Sequence, residues 1–355
     1  MNRLTEPTVI FRCDGGNLPE TGTGHIRRCL NLAIYLRDTY KVNSRFIIRD
    51  LDGEPPLVLH HRFAVHLLPP VSDWETPAMR IVKRVNPQLV VVDMLDNGGK
   101  FLKLLHDQAP AIPTITMDDL GMGLDYASCG INSILEDERA EFNGEDFVIL
   151  ASGEESAKVI KDEVKEVFLS FGGFDFGGLT AKALRSLTLL DEKLEVTALV
   201  GRSYNNEEKL LGIASGSNIR RLDIVRETSN IGYLLKKSDI SIVAGGLTLY
   251  ESMHCGLPTM VLCQYDHQVG TAAKFQSKGA AINLGLGEKV DDEFVSSQVK
   301  ALIDDYDKRK NLSETAAGLV DGKGLRRVAE IINTLANHRF QVSKARVKVS
   351  ELTKV

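Results

Sequence analysis

The sequence carries no excess of basic residues: 43 Lys and Arg stand against 48 Asp and Glu, a formal charge of −5 at neutral pH. A nucleic-acid surface normally shows as a basic stripe, so polyanion binding is excluded as the main task. Cysteine is sparse as well. The five thiols, Cys13, Cys29, Cys129, Cys255 and Cys263, are odd in number, form no Cys-x-x-Cys pair, and several lie in apolar runs. That pattern excludes a disulfide framework and fits free buried thiols in a reducing compartment. No apolar run approaches the roughly 20 residues needed to span a bilayer. The opening Met1-Asn2-Arg3-Leu4-Thr5-Glu6-Pro7 lacks the apolar core of a signal peptide. A soluble cytoplasmic protein is the expectation. Short-period repeats and low-complexity tracts are also missing, as is a Gly-x-Gly-x-x-Gly dinucleotide fingerprint. Asp50-Leu51-Asp52 has the spacing of a metal pair but no further ligand candidate beside it. Neither a metal nor another cofactor is expected.

What is present is material for two cores: 355 residues, 43% hydrophobic and 26% charged. Short apolar runs alternate with turns and longer amphipathic stretches. Strands are expected at Thr8 to Cys13, Arg45 to Ile48, Gln88 to Asp93 and Thr114 to Met117, with a helix over Ile26 to Tyr40. The uninterrupted apolar run around Val91 suits a strand buried on both faces. A second series follows the polar stretch Ala151 to Lys165: Val167 to Phe171, Leu194 to Val200, Asn218 to Ile224, Ile240 to Ala244 and Thr259 to Cys263. Alternating strands and helices imply right-handed crossovers and parallel sheets. The expected fold class is α/β, with two Rossmann-type domains, 1–155 and 156–340, facing across a cleft. A late helix over Leu325 to Leu335 belongs to the second, and a loose polar tail follows at 341–355.

Ligands of open parallel sheets bind at the carboxyl ends of strands, near helix N-termini. Three loops occupy such places. The first runs from Cys13-Asp14-Gly15-Gly16 to Gly22-Thr23-Gly24-His25-Ile26-Arg27-Arg28. Its glycines let a ligand approach the backbone, and its helix start favours an anion or an electron-rich oxygen. An imidazole there suits general-base work; a tight turn with a helix-capping histidine is the plainer account. The second, Ser170-Phe171-Gly172-Gly173-Phe174-Asp175, is weak alone, because strand–Gly-Gly–helix turns are common. The third, Ala244-Gly245-Gly246-Leu247-Thr248-Leu249-Tyr250-Glu251, is sharper. Glycine amides and the Thr248 hydroxyl would take a diphosphate, and Glu251 would accept from ribose hydroxyls. The competing account is a helix capping box, whose spacing Thr248 and Glu251 match.

Taken together and in this order, the loops resemble nucleotide-sugar enzymes of the GT-B fold. The resemblance runs from about Phe11 to Gly285 and is nearest to the pseudaminic-acid-pathway hydrolases that release UDP from a UDP-linked amino sugar. The spore-coat polysaccharide proteins and the lipid II-forming N-acetylglucosaminyltransferases are similar too. Cys13-Asp14-Gly15-Gly16 with Gly22-x-Gly24-His25-x-x-Arg28-Cys29-Leu30, then Asp118-Asp119-Leu120, Ser170-Phe171-Gly172-Gly173-x-Asp175 and Gly245-Gly246-x-Thr248-x-x-Glu251 carry it. The resemblance implies His25 as base, with Asp14 as a second catalytic candidate. It implies Gly22, Gly24, Arg28, Asp93 and Gln268 on the sugar side. On the nucleotide side it implies Gly172, Gly173, Ile231, Gly245, Gly246, Thr248 and Glu251, with backbone groups near Ile231 reading a uracil edge. Departures fall in the sugar half: Leu95 of Asp93-Met94-Leu95 stands where those hydrolases carry a tyrosine, and His267-Gln268 replaces an Asn-Gln pair.

The leading expectation is hydrolysis of a UDP-linked amino sugar for a surface glycan, with His25 activating water. The diphosphate would be stabilised by Gly245, Gly246, Thr248 and helix amides without a metal. The runner-up is an inverting glycosyltransferase, in which His25 deprotonates an acceptor hydroxyl. Peripheral membrane contact enters only with a transferase. A non-catalytic nucleotide-sugar sensor is a third class; it would keep the Gly245 to Glu251 grip and could dispense with His25. His25 together with Arg28 and Asp14 favours an enzyme.

Overall fold

Strand β1 (Thr8–Cys13) shows how the first sheet is built. Val9, Phe11 and Cys13 are buried in one apolar cluster and Ile10 in another, so both faces of the strand are covered. Strand β4 (Leu89–Asp93) repeats the pattern with Leu89 and Val91 on one side and Val90 and Val92 on the other. That is why its apolar run is uninterrupted. The computed structural model describes residues 6–15, 24–51, 57–95, 98–134, 136–150, 158–173, 175–201, 204–226, 228 and 230–337. Among them no helix is long and apolar enough to cross a membrane.

In the first unit the chain runs β1, α1 (Gly24–Tyr40), β2 (Asn43–Arg49), β3 (Ala64–Leu68), α2 (Glu75–Val85), β4, α3 (Gly99–Gln108), β5 (Thr114–Met117), α4 (Gly123–Tyr126), β6 (Cys129–Asn132) and β7 (Phe142–Asn143). The sheet order is β3-β2-β1-β4-β5-β6-β7, parallel throughout. The second unit holds β8 (Glu166–Ser170), α5 (Leu179–Thr188), β9 (Glu195–Val200), α6 (Glu207–Ala214), β10 (Arg221–Arg226), α7 (Ile231–Lys237) and β11 (Ile240–Val243). It continues with α8 (Leu247–His254), β12 (Thr259–Cys263), α9 (Asp266–Ser277), β13 (Ile282–Leu286), α10 (Asp292–Asp304) and α11 (Tyr306–Leu319). Its order is β10-β9-β8-β11-β12-β13, again parallel. Each sheet therefore reverses its direction of growth once, between β1 and β4 and between β8 and β11. Such a switch point opens a crevice at the strands' carboxyl ends.

The units divide after Ile149, and the last helix lies with the first of them. Helix α12 (Gly324–Asn337) belongs to the first unit. Its Val328, Ala329, Ile332 and Leu335 complete the apolar cluster that holds Val9, Phe11 and Leu36. Gly324 lies so tightly against the Val148 carbonyl that a methyl group would collide with it. An amphipathic helix goes where its apolar face is covered; sequence order alone does not decide which core that is. The expected tail at 341–355 lies outside the described residues.

Candidate functional site

The switch point of the first sheet brings together the end of β1, the start of α1 and the end of β4, where Cys13 pairs in register with Asp93. His25 is the second residue of α1. Three and four residues later come Arg28 and Cys29, which a helix places on the same face. All three converge on one carboxylate. Asp93 accepts from His25 Nδ1 at 2.7 Å, from Arg28 Nε at 2.8 Å and Nη2 at 2.5 Å, and from the Cys29 thiol at 3.4 Å. Asp93 is fully buried, whereas the His25 side chain keeps 26% of its surface exposed.

Burial works against ionisation of Asp93, but the Arg28 guanidinium and His25 outweigh it and hold the carboxyl well below the usual carboxylate range. An ionised carboxylate only accepts, so Nδ1 carries the imidazole proton and Nε2 keeps a lone pair. Arg28 bridges onward to Asp118, just past the end of β5. Burial opposes its charge too, yet Asp93 and Asp118 raise its pKa further above the ordinary guanidinium value. Asp118 also accepts from the Ser133 amide at 2.6 Å, the Ile134 amide at 2.8 Å and the Ser133 hydroxyl at 3.0 Å.

The carboxylate on His25 is Asp93. Asp14 turns instead to Arg12, at 2.6 and 3.0 Å, and to the Arg49 amide and Nε, at 3.0 and 2.7 Å. Burial raises its pKa, but Arg12 and Arg49 outweigh that and keep the carboxyl below its ordinary value. Arg12 in turn stacks on Trp74, 4.0 Å from the ring centre. Arg28 and Asp93, the expected sugar-side pair, bond to each other and are nearly or wholly buried. Gly24 opens α1 with space around its Cα, while Gly22 lies outside the described residues.

The switch point of the second sheet pairs Ser170 of β8 with Val243 of β11, which sets the two Gly-Gly turns beside each other at the carboxyl edge. Gly172 has φ +82°, in the left-handed region, and both Gly172 and Gly173 have open space where a side chain would stand. Gly201, at the end of β9, packs directly on the Gly173 carbonyl. It was not among the expected site residues; a glycine directly after an apolar run was its only signal. Gly201→Ala is expected to cost about 1–3 kcal/mol, which thermal unfolding checks.

Gly245 is close-packed: a Cβ there would stand 2.8 Å from that of Gln268. Gln268 is nearly buried, and its Oε1 accepts from the Gln264 amide at 2.8 Å. Gly246 is the residue that caps α8, without a side-chain cap bond. The capping-box account therefore fails, because Thr248 lies inside the first turn rather than at its cap. Thr248 stays half-exposed beside the helix N-terminus, and Glu251 is one turn further and nearly buried. Ile231 begins α7, which Asn230 caps by accepting from the Tyr233 amide at 3.1 Å. His267 stacks on Tyr265 with ring centres 5.5 Å apart, and burial lowers its pKa.

No family model matches the chain. The chain is similar to the spore coat polysaccharide biosynthesis protein SpsG of Bacillus subtilis, 28% identical over 342 residues that span 91% of this chain and 96% of that protein. Among solved structures, the Staphylococcus aureus MnaA–UDP co-structure aligns with a TM-score of 0.66 at 12% identity, over 93% of this chain and 97% of that one. The spinosyn rhamnosyltransferase SpnG complexed with thymidine diphosphate aligns with a TM-score of 0.64 at 14% identity, over 93% of this chain and all of that one. The fold is that of the GT-B enzymes, two parallel-sheet α/β domains in one chain.

Proposed function

We propose that this chain transfers a sugar from a nucleoside-diphosphate sugar to a hydroxyl acceptor, with His25 as general base. The observation that carries this reading is the His25 Nδ1–Asp93 contact at 2.7 Å, which leaves a basic Nε2 at the carboxyl edge of a parallel sheet. The acceptor oxygen attacks the anomeric carbon while its proton passes to Nε2. The bond from that carbon to the diphosphate oxygen breaks, and its electron pair leaves with the diphosphate. In the second unit, the amides of Gly245 and Gly246 and the start of α8 offer donors suited to a diphosphate. Glu251 binds the ribose, and the segment at Ile231 meets the base.

The opening motif favours water as the acceptor. Two observations favour a hydroxyl compound. SpnG is a rhamnosyltransferase and SpsG a polysaccharide biosynthesis protein by their names. Leu95, Leu120 and Met122, in the segments after β4 and β5, are exposed apolar residues at the sheet edge that carries Asp93. The Leu120 amide donates to the Leu95 carbonyl at 2.6 Å, which ties the two segments together. Water needs no apolar surface, whereas an acceptor gains from one. The nucleotides named with the two solved structures are both pyrimidine diphosphates, which supports UDP here.

The test is incubation with UDP-, CMP- and GDP-sugars, with and without hydroxyl acceptors. Nucleotide release from a UDP-sugar only when an acceptor is present is the expected result. Equal release in water alone would replace transfer by hydrolysis. No release under any condition would remove both.

A further inference from the structure

Asp118 stands out among the described residues for three reasons. Its backbone has φ +46°, in the left-handed region, although it is not glycine. Its carboxylate is nearly buried. It accepts from Arg28, which in turn grips the carboxylate that holds His25. A left-handed backbone is uncommon for a residue with a side chain, and burying a second carboxylate has a cost of its own. Such a cost persists where the surroundings over-determine it, and it clusters at functional sites.

Charge counting shows what the arrangement does. Arg28 and Asp93 alone would cancel, and His25 would face a neutral pair. Adding Asp118 gives the buried trio a net charge of −1, which becomes zero when His25 takes a proton. We propose that Asp118 is a positioning residue: by occupying the far side of Arg28, it leaves the negative charge of Asp93 available to His25. The other titratable groups around this point do not replace it. Cys29 is held as a neutral thiol by burial, with its neighbour Cys13 acting in the same direction. Asp14 is bound to Arg12 and Arg49. Asp119, which accepts from Thr116 and the Gly121 amide, has its pKa raised by burial. Arg27 stands two positions after His25 on α1, where a helix turns it to another side.

Asparagine tolerates a left-handed backbone but removes the charge and turns an amide toward one donor. In the full chain, Asp118→Asn is expected to lower the midpoint of the His25 imidazole titration, followed by NMR, by about 0.5–1 pH unit. Ser133→Ala strips one donor from Asp118 and keeps its charge, so there the midpoint rises or stays. An unmoved midpoint in folded Asp118→Asn, or a fall in Ser133→Ala, overturns the proposal; the serine variant decides if the asparagine variant does not fold. The inference rests on His25 as base only for its consequence in turnover. With the base role, the acid limb of kcat/KM in Asp118→Asn moves down with the midpoint and kcat falls about 10-fold, while KM for the UDP-sugar stays within about twofold. A shifted midpoint without any turnover by the wild-type chain would leave the charge network standing and remove the transferase reading. Turnover with an unmoved midpoint would do the reverse.

Discussion

His25→Ala lowers kcat by on the order of 100-fold or more, with the protein still folded. The side chain sits in the first turn of α1, keeps 26% of its surface exposed and contributes no atom to either apolar cluster of the first sheet. Its loss therefore leaves no cavity. What it does remove is the one imidazole that a buried carboxylate holds in a fixed tautomer at this edge. Asp93 keeps its two Arg28 contacts at 2.8 and 2.5 Å in the variant, so the buried charge stays compensated. KM for the nucleotide sugar should change little, because the groups proposed to grip the nucleotide lie on β11 and α8. Steady-state rates with a UDP-sugar and acceptor, together with circular dichroism, measure this. A near-normal kcat would take His25 out of the reaction. A raised KM with unchanged kcat would make it a binding residue instead.

Much of the architecture is written in the sequence. Strands buried on both faces, such as β1 and β4, are continuous apolar runs, and β5 and β12 were bounded to the residue by theirs. Edge strands are harder. Ala64 to Leu67 of β3 are half-buried or exposed, only Leu68 is buried, and the strand leaves no such run. The placement of α12 depends on which core has an uncovered face, a property of the folded first unit. The site divides in the same way. Its loops are legible because glycine, histidine and hydroxyl residues cluster after strands. Which way each carboxylate turns is not. Asp14, Asp93 and Asp118 all follow or end a strand and look equivalent in sequence. The register that sets Cys13 opposite Asp93, and the helix turn that sets Arg28 over it, decide that Asp93 meets His25. The neighbouring Arg49 on β2 decides that Asp14 does not.

Arg28→Leu has the largest expected effect on stability. Arg28 is nearly buried, and its guanidinium is shared between Asp93 and Asp118. Removing one partner of a buried pair leaves an uncompensated charge, at a cost of about 3–5 kcal/mol. Here two carboxylates lose their cation together. The sign of the pH dependence follows from linkage. In the wild type the folded-state pKa of Asp93 is depressed, so its contribution is present above the unfolded carboxylate value and is lost as pH falls through the folded one. In the variant, burial without a cation raises the folded-state pKa above the unfolded value. That stabilises the variant's protonated form, and the benefit is lost as pH rises through the raised value. The stability gap between the two proteins is therefore already present near about pH 4, where wild-type Asp93 is still ionised, and widens toward about pH 7 as the variant's buried carboxyl is forced to ionise. Urea unfolding at both pH values measures it. A gap that is constant with pH would mean that Arg28 acts through packing of its stem rather than through its charge. In that case the charge count behind Asp118 would fail with it, because both rest on the same guanidinium standing between the same two carboxylates.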